Sequence, residues 1–409
     1  MRHKCGMFPQ SLILTLVIVV SLRVACAQSD TTSLVRDNAA FALVLYQKLR
    51  VAEGNVFVSP YSISAAFAMT YAGARGNTEK EMAQTLRFSL HQKKLHQAFA
   101  ALEARLNAVQ KAGNIRLSIA NSLWPQKDYR FLQEYLSLIK KHYGVSITPV
   151  DYKLARETAR QKINGWVHNK TQGKIQNLIR PGMLGTLTRL ALVNAIYFQG
   201  NWASQFEPSS TKEAPFYVTP TWTVQAPMMT QTQRFRYANL GDLEVLELPY
   251  VGDEISMLVL LPKAVDGLQQ VEAALSVENL QRWKSELSTG EKVVIFLPKF
   301  KMTSLFRLDK TLISMGMVNA FMERKANFAG MDGRPDGLYI GAVLHKAFVD
   351  VHEKGTEAAA ATAVIGTRGI SPLPPIFRAD HPFVILIQEK QTGSILFIGR
   401  LADPTKTGE

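Results

Sequence analysis

The run Glu353-Lys354-Gly355-Thr356-Glu357-Ala358-Ala359-Ala360-Ala361-Thr362-Ala363-Val364 constrains this chain most. It follows directly on a largely apolar segment, Val343 to Val351, yet carries no side chain large enough to anchor a core. In an extended backbone, alternate residues share a face. Thr356, Ala358, Ala360, Thr362 and Val364 then lie on one side, and Glu357, Ala359, Ala361 and Ala363 on the other. Such a strand can be exposed or buried. An Ala-rich helical turn or linker is the alternative, because Ala favours helix. A Gly- and Pro-rich tract follows, from Gly366 to Pro375. Beyond it come two apolar runs, Phe377 to Ile387 and Ser394 to Leu401, joined through Gln391-Thr392-Gly393. That pattern predicts a buried β-hairpin.

A small-residue loop between a Gly355 pivot and a C-terminal hairpin resembles the serpin family. The resemblance extends along the chain. Asn55-Val56-Phe57-Val58-Ser59-Pro60-Tyr61-Ser62-Ile63-Ser64 is similar to the family's second-helix motif, and Gly73-Ala74-Arg75-Gly76-Asn77-Thr78 follows it. Ile163 to Ile175 resembles the end of the helix lying across the main sheet. Leu192 to Trp202 resembles the third strand of that sheet. Leu297-Pro298-Lys299-Phe300, Leu312 to Met317 and the His345 segment follow in order.

The resemblance implies a suicide-substrate inhibitor of a serine endopeptidase. The protease cuts an exposed reactive-centre loop, about 353–376, and is held as an acyl-enzyme. The freed hinge, Gly355, Thr356, Glu357, Ala358, Ala359, Ala360, Ala361 and Thr362, then inserts into the main sheet as an extra strand. About a dozen residues at roughly 3.3 Å each would carry the protease some 40 Å. A charge on the inward face would cost several kcal/mol to bury. Thr356 to Val364 contains no Pro, Lys, Arg or Asp, which favours an inhibitor over a non-inhibitory carrier or binding protein of the same fold. Trapping needs only an acyl-enzyme, so cross-class inhibition of a cysteine protease is another alternative. The resemblance also implies a sheet-opening cluster of Ser59, Ser62, Asn194 and His345. Trp202 would stand at the breach where the hinge enters.

Counting from Glu353 in the commonest register places the scissile bond at Gly369-Ile370. Gly369 offers nothing to a primary pocket, whereas Arg368 offers a guanidinium to an acidic one. The expected bond is Arg368-Gly369, and the expected target is trypsin-like. Ile370-Ser371 is a further alternative.

Arg2 and Lys4, the apolar run Leu12 to Leu22, and Ala25-Cys26-Ala27 predict a signal peptide over residues 1–27. The run is shorter than the ~20 residues a membrane span needs. A lipid anchor on Cys26 is the alternative, which Arg23 fits poorly. The expected product is secreted and extracellular, without membrane attachment, and monomeric. Both cysteines, Cys5 and Cys26, precede Ala27, so residues 28–409 would fold as one serpin-like domain without disulfides.

The net charge is +14, and removal of Arg2, Lys4 and Arg23 leaves +11. Such a surface attracts polyanions, glycosaminoglycans among them. Candidate patches are His91, Lys93, Lys94 and His96; Lys140, Lys141 and His142; and Arg156, Arg160 and Lys162. Solvated helix faces are the plainer reading of each.

Helical periodicity is strongest in the first half: Ser33–Arg50, Ser62–Ala72, Glu79–Thr85, His91–Val109, Leu132–Tyr143 and Ala155–His168. Strands follow at Glu244–Leu248, Ser256–Leu261 and Val293–Leu297. The expected class is therefore α+β, with a large central sheet, further sheets and an exposed loop. No G-x-S-x-G, H-E-x-x-H, phosphate-loop or dinucleotide motif is present, so the chain is not expected to be an enzyme or to need a cofactor or metal. Asn169-Lys170-Thr171 is the one N-x-[ST] sequence, a glycosylation candidate.

Overall fold

The computed structural model describes residues 10–112, 115–145, 147–355 and 373–408. The first half is helical except for β1 (Val56–Val58) and β2 (Ile115–Pro125). Its helices are α1 (Gln10–Leu49), α2 (Pro60–Tyr71), α3 (Gly76–Leu86), α4 (Gln92–Lys111), α5 (Gln133–Tyr143) and α6 (Arg156–Lys170). Then come β3 (Leu190–Gly200), β4 (Lys212–Thr219), β5 (Trp222–Asn239), β6 (Leu243–Pro249) and β7 (Ile255–Pro262). Helices α7 (Leu268–Ala274) and α8 (Val277–Ser285) precede β8 (Ser288–Pro298) and β9 (Phe300–Arg307). The chain closes with α9 (Asp309–Ser314), α10 (Ala329–Asp332), β10 (Ala342–Val351), β11 (Ile376–Arg378), β12 (Phe383–Glu389) and β13 (Ile395–Leu401). The α+β expectation holds, and so does the hairpin, which forms as β12 against β13.

Two sheets carry the fold. One runs β1-β13-β12-β7-β6-β5-β8-β11, with β4 added against β5. The other has the order β2-β3-β10-β9. In the second sheet β10 lies parallel to β3, with Ala342 opposite Ala191 through Phe348 opposite Tyr197. A sheet buried on both faces needs apolar residues at nearly every position. Leu192, Ile196 and Phe198 of β3 join the main core, whereas Ala191, Val193 and Ala195 pack with Ile163 and Val167 of α6. Thus α6 covers one face of the four-stranded sheet, and α2 approaches the other.

Every residue of α2 is buried. A helix buried on all sides is a core helix; its Ser62, Ser64 and Thr70 hydroxyls are hydrogen-bonded inside, and Pro60 at its first position has no N–H to leave unsatisfied. Ser59 caps it: its hydroxyl accepts from the Ser62 N–H at 3.3 Å and donates to the Leu396 carbonyl at 2.7 Å. The cap therefore ties α2 to β13.

Helix α1 differs from the expected Ser33–Arg50. It begins at Gln10 and takes in the apolar run Leu12 to Leu22. That run is apolar on all sides, so no periodicity marks a helix start within it. Among the described residues, no helix is long and apolar enough to cross a membrane.

Candidate functional site

The parity of β3 and β10 decides which side chains meet α2. Asn194 falls on the even, core-facing series of β3, and His345 on the odd, core-facing series of β10. Register places the two opposite each other. The Ser59 N–H donates to His345 Nε2 at 3.1 Å, so Nε2 carries no proton. The proton is on Nδ1, which donates to Asn194 Oδ1. Asn194 Nδ2 donates to Ser62 Oγ at 2.6 Å and to Asn121 Oδ1. Ser59, Ser62, Asn194 and His345 are all buried. Burial alone pushes His345 down to about 3, so the ring is neutral at physiological pH.

Sequence reasoning named four members of this array and missed Asn121. Its side chain accepts from Ser62 Oγ at 3.1 Å and donates to the Ser62 carbonyl at 3.2 Å. The available signal was one amide in the alternating series Ile115, Leu117, Ile119, Asn121, Leu123. Five polar side chains thus link α2, β2, β3 and β10 across an apolar sheet. Nearly all of their donors and acceptors are used internally, as buried polar groups require.

At the end of β10 the chain turns back. Gly355 pairs in an isolated antiparallel bridge with His352 and in another with Asn201, just past β3. Its φ is +101°, and a Cβ there would collide with the Trp202 backbone nitrogen and the Gly200 carbonyl. Only glycine fits such a close approach in that conformation. Trp202 is buried, stacks on Tyr250 with 4.5 Å between centroids, and donates from Nε1 to the His352 carbonyl at 3.0 Å. The backbone N–H groups of Trp202 and Phe206 donate to the carbonyls of Lys354 and Glu353, at 3.1 and 2.8 Å.

Glu353 is anchored by Lys299 at 2.9 Å and by the Thr211 hydroxyl at 2.9 Å. These contacts hold its carboxyl below the usual range against the opposing effect of burial. Sequence reasoning used Glu353 only as a counting origin and missed both partners. The hinge residues Thr356 to Thr362 and the candidate bond at Arg368, Gly369 and Ile370 lie outside the described residues.

The basic patches fare unevenly. His96 cannot belong to one, because it is buried and its Nδ1 pairs with the Tyr143 hydroxyl at 2.7 Å. Lys94 pairs with Asp30, and Arg160 with Glu157. Lys140, Lys141 and His142 form the last turn of α5, with the His142 ring 6.2 Å from that of His96. Asn169 is exposed in the last turn of α6. Among the described residues, no group of three or more His, Cys, Asp or Glu is placed to hold a metal ion.

Known proteins are similar to this chain over most of its length. A family model described as "Serpin (serine protease inhibitor)" matches residues 36–404. The leukocyte elastase inhibitor of Homo sapiens is 41% identical over 376 residues, 90% of this chain and 98% of that protein. Serpin B3 of Homo sapiens is 42% identical over 393 residues, 91% of this chain and 100% of that protein. The crystal structure of uncleaved ovalbumin is similar with a TM-score of 0.83 at 32% identity, covering 90% of this chain and 99% of that one. These matches correct the expectation drawn from missing enzyme motifs. The chain is not defined by an absence of catalysis but by a family description, serine protease inhibitor, whose subject is an enzyme's activity. With a match from Arg36 to Pro404 and relatives aligned over nearly their full lengths, the chain belongs to the serpin family.

Proposed function

We propose that this chain is a secreted, single-use inhibitor of a trypsin-like serine protease, cleaved at Arg368-Gly369. One observation carries the reading most. Gly355 is already paired on both sides, to Asn201 and to His352, at the end of the β3–β10 pair. The turn at Glu353 and Lys354 reverses the chain, so a strand continuing from Gly355 would run antiparallel to both neighbours. Insertion would then extend a pairing begun at Gly355. Breaking the His345–Asn194 contact would open the sheet further down.

In the proposed reaction the protease serine attacks the Arg368 carbonyl and releases the amine of Gly369. Insertion of the freed hinge drags the acyl-enzyme along the sheet, and hydrolysis of the ester stalls. Thr356, Ala358, Ala360 and Thr362 would face the core side at little desolvation cost.

Incubation with trypsin followed by a denaturing gel tests this. A stable band at the summed mass is expected, and Arg368→Ala should abolish it. Clean cleavage without a complex would favour the carrier reading. The leukocyte elastase inhibitors among the relatives favour a second target class, with cleavage at Gly369-Ile370. The mass of the released C-terminal peptide separates the two bonds.

Secretion rests on Arg2, Lys4, Leu12 to Leu22 and Ala25-Cys26-Ala27. Protein from a secretory host should begin at Gln28. A polyanion partner, such as a glycosaminoglycan, is supported by Lys140 and Lys141 beside α4 and by the basic balance. Heparin that leaves the inhibition rate unchanged at low salt counts against it.

A further inference from the structure

A cavity of about 380 Å³ opens between α2, α4, β2, the end of α5 and α6. Its wall includes Tyr61, Glu103, Ile119, Asn121, Tyr143 and Trp166. Five of these six are aromatic, aliphatic or amide side chains, and the sixth is a carboxylate. Glu103 is partly buried and has no hydrogen-bond or ion-pair partner among the described residues. Lys170 also lines the cavity, but it is exposed and makes no ion pair with Glu103. The Tyr61 hydroxyl likewise has no hydrogen bond among the described residues, although the residue is buried. Tyr61, Tyr143 and Glu103 all line this one cavity.

An unpaired, half-desolvated carboxylate is costly, and Glu103 avoids that cost by keeping a proton up to about pH 7. A positive charge arriving from outside would favour the ionised form instead. The size is that of a small-molecule pocket. Aromatic faces beside a carboxylate attract a cation through their ring quadrupoles. We propose that this cavity is a binding site for a small organic cation, an ammonium head on an aromatic or branched apolar body, with Glu103 as its counter-ion.

The apolar body would lie against Ile119 and Trp166, and the head would sit between Glu103 and the tyrosines. Asn121 lines the cavity and also hydrogen-bonds Ser62. An occupant would therefore rest against the polar array that ties α2 to the sheet. Ligand that binds this folded arrangement alone raises the thermal midpoint by mass action.

Calorimetric titration of the full chain tests the assignment, with phenethylamine, 2-phenylethanol and 3-phenylpropionate as probes. The amine should bind about tenfold more tightly than the neutral alcohol, the acid should bind least, and the amine should raise the melting midpoint. Glu103→Gln keeps the side chain's shape and removes the charge, so the amine and alcohol should then bind alike. Two results overturn the proposal: equal binding of amine and alcohol to the wild type, or a preference for the amine that survives in the variant. Absence of binding by all three probes overturns it as well. Neither readout involves a protease, so the outcome is independent of the inhibitory reading.

Discussion

His345 donates its Nδ1 proton to Asn194, its register partner across two parallel strands. Its other ring nitrogen accepts from the backbone of Ser59, at the head of a buried helix. One neutral ring therefore joins three elements, and its removal reaches all of them. His345→Ala should leave the Ser59 N–H and Asn194 Oδ1 unmet, at about 1–3 kcal/mol. Urea denaturation should show the loss, and warming should give earlier polymerisation on a native gel. A variant as stable as the wild type would remove His345 from the opening point.

Stability should fall as the solution is acidified below pH 6.5. Burial pushes His345 down to about 3. Burial, aided by the neighbouring His142, pushes His96 down to about 4. In the unfolded chain both take up a proton near pH 6.5, which the native state refuses. Glu103 acts in the opposite sense. Burial raises it to about 7, so the native state keeps a proton that the unfolded chain releases above pH 4.5. From these three groups, the unfolded chain holds about one extra proton between pH 4.5 and 6.5. The unfolding free energy should then drop by about 1.4 kcal/mol per pH unit on acidification. Titrations at pH 6.5 and 5 measure the slope, and Glu103→Gln should steepen it.

Gly355→Ala should disturb the turn after β10. The positive φ and the collision with the Trp202 backbone leave no room for a methyl group. The bridge to Asn201 should open, and the indole of Trp202, which donates to the adjacent His352 carbonyl, should shift its fluorescence. Unchanged emission and unchanged inhibition would show that the pairing at Gly355 is incidental.

Thr356→Arg should convert the inhibitor into a substrate, because a guanidinium would have to be buried at the first inserting position. Glu357→Arg should do far less, since residue 357 lies on the opposite face of an extended chain. The measurement is the number of inhibitor molecules consumed per protease blocked. Equal values for the two variants would defeat the alternating-face argument.

Much of the fold was legible where pattern and environment agree. The hairpin of β12 and β13 announces itself because both strands are wholly buried and flank Gly393, whose φ is +77°. Helix α2, expected from Ser62, begins at Pro60; the Ser59 cap and the first-turn proline went unread. Strand β5 also went unread. Its stretch Thr230-Gln231-Thr232-Gln233-Arg234 carries no apolar alternation, because partner strands rather than a core hold it. Asn121 was missed for a related reason. Its role depends on β2 lying beside β3 with Asn121 opposite Asn194, a pairing that joins residues far apart in the chain. His96 was misplaced in a basic patch because charge runs do not show which face of α4 meets α5.

The turn at Glu353 and Lys354 has a consequence for competition. A strand starting at Gly355 would be tethered to β10 by the three residues His352, Glu353 and Lys354, so its effective concentration at the β3–β10 seam would be set by a short closure rather than by diffusion. A foreign strand must compete with that local supply. The Lys299 and Thr211 contacts to Glu353 keep the tether short. Cutting them, or lengthening the turn, dilutes the chain's own strand at the seam and leaves the same edges available to another molecule.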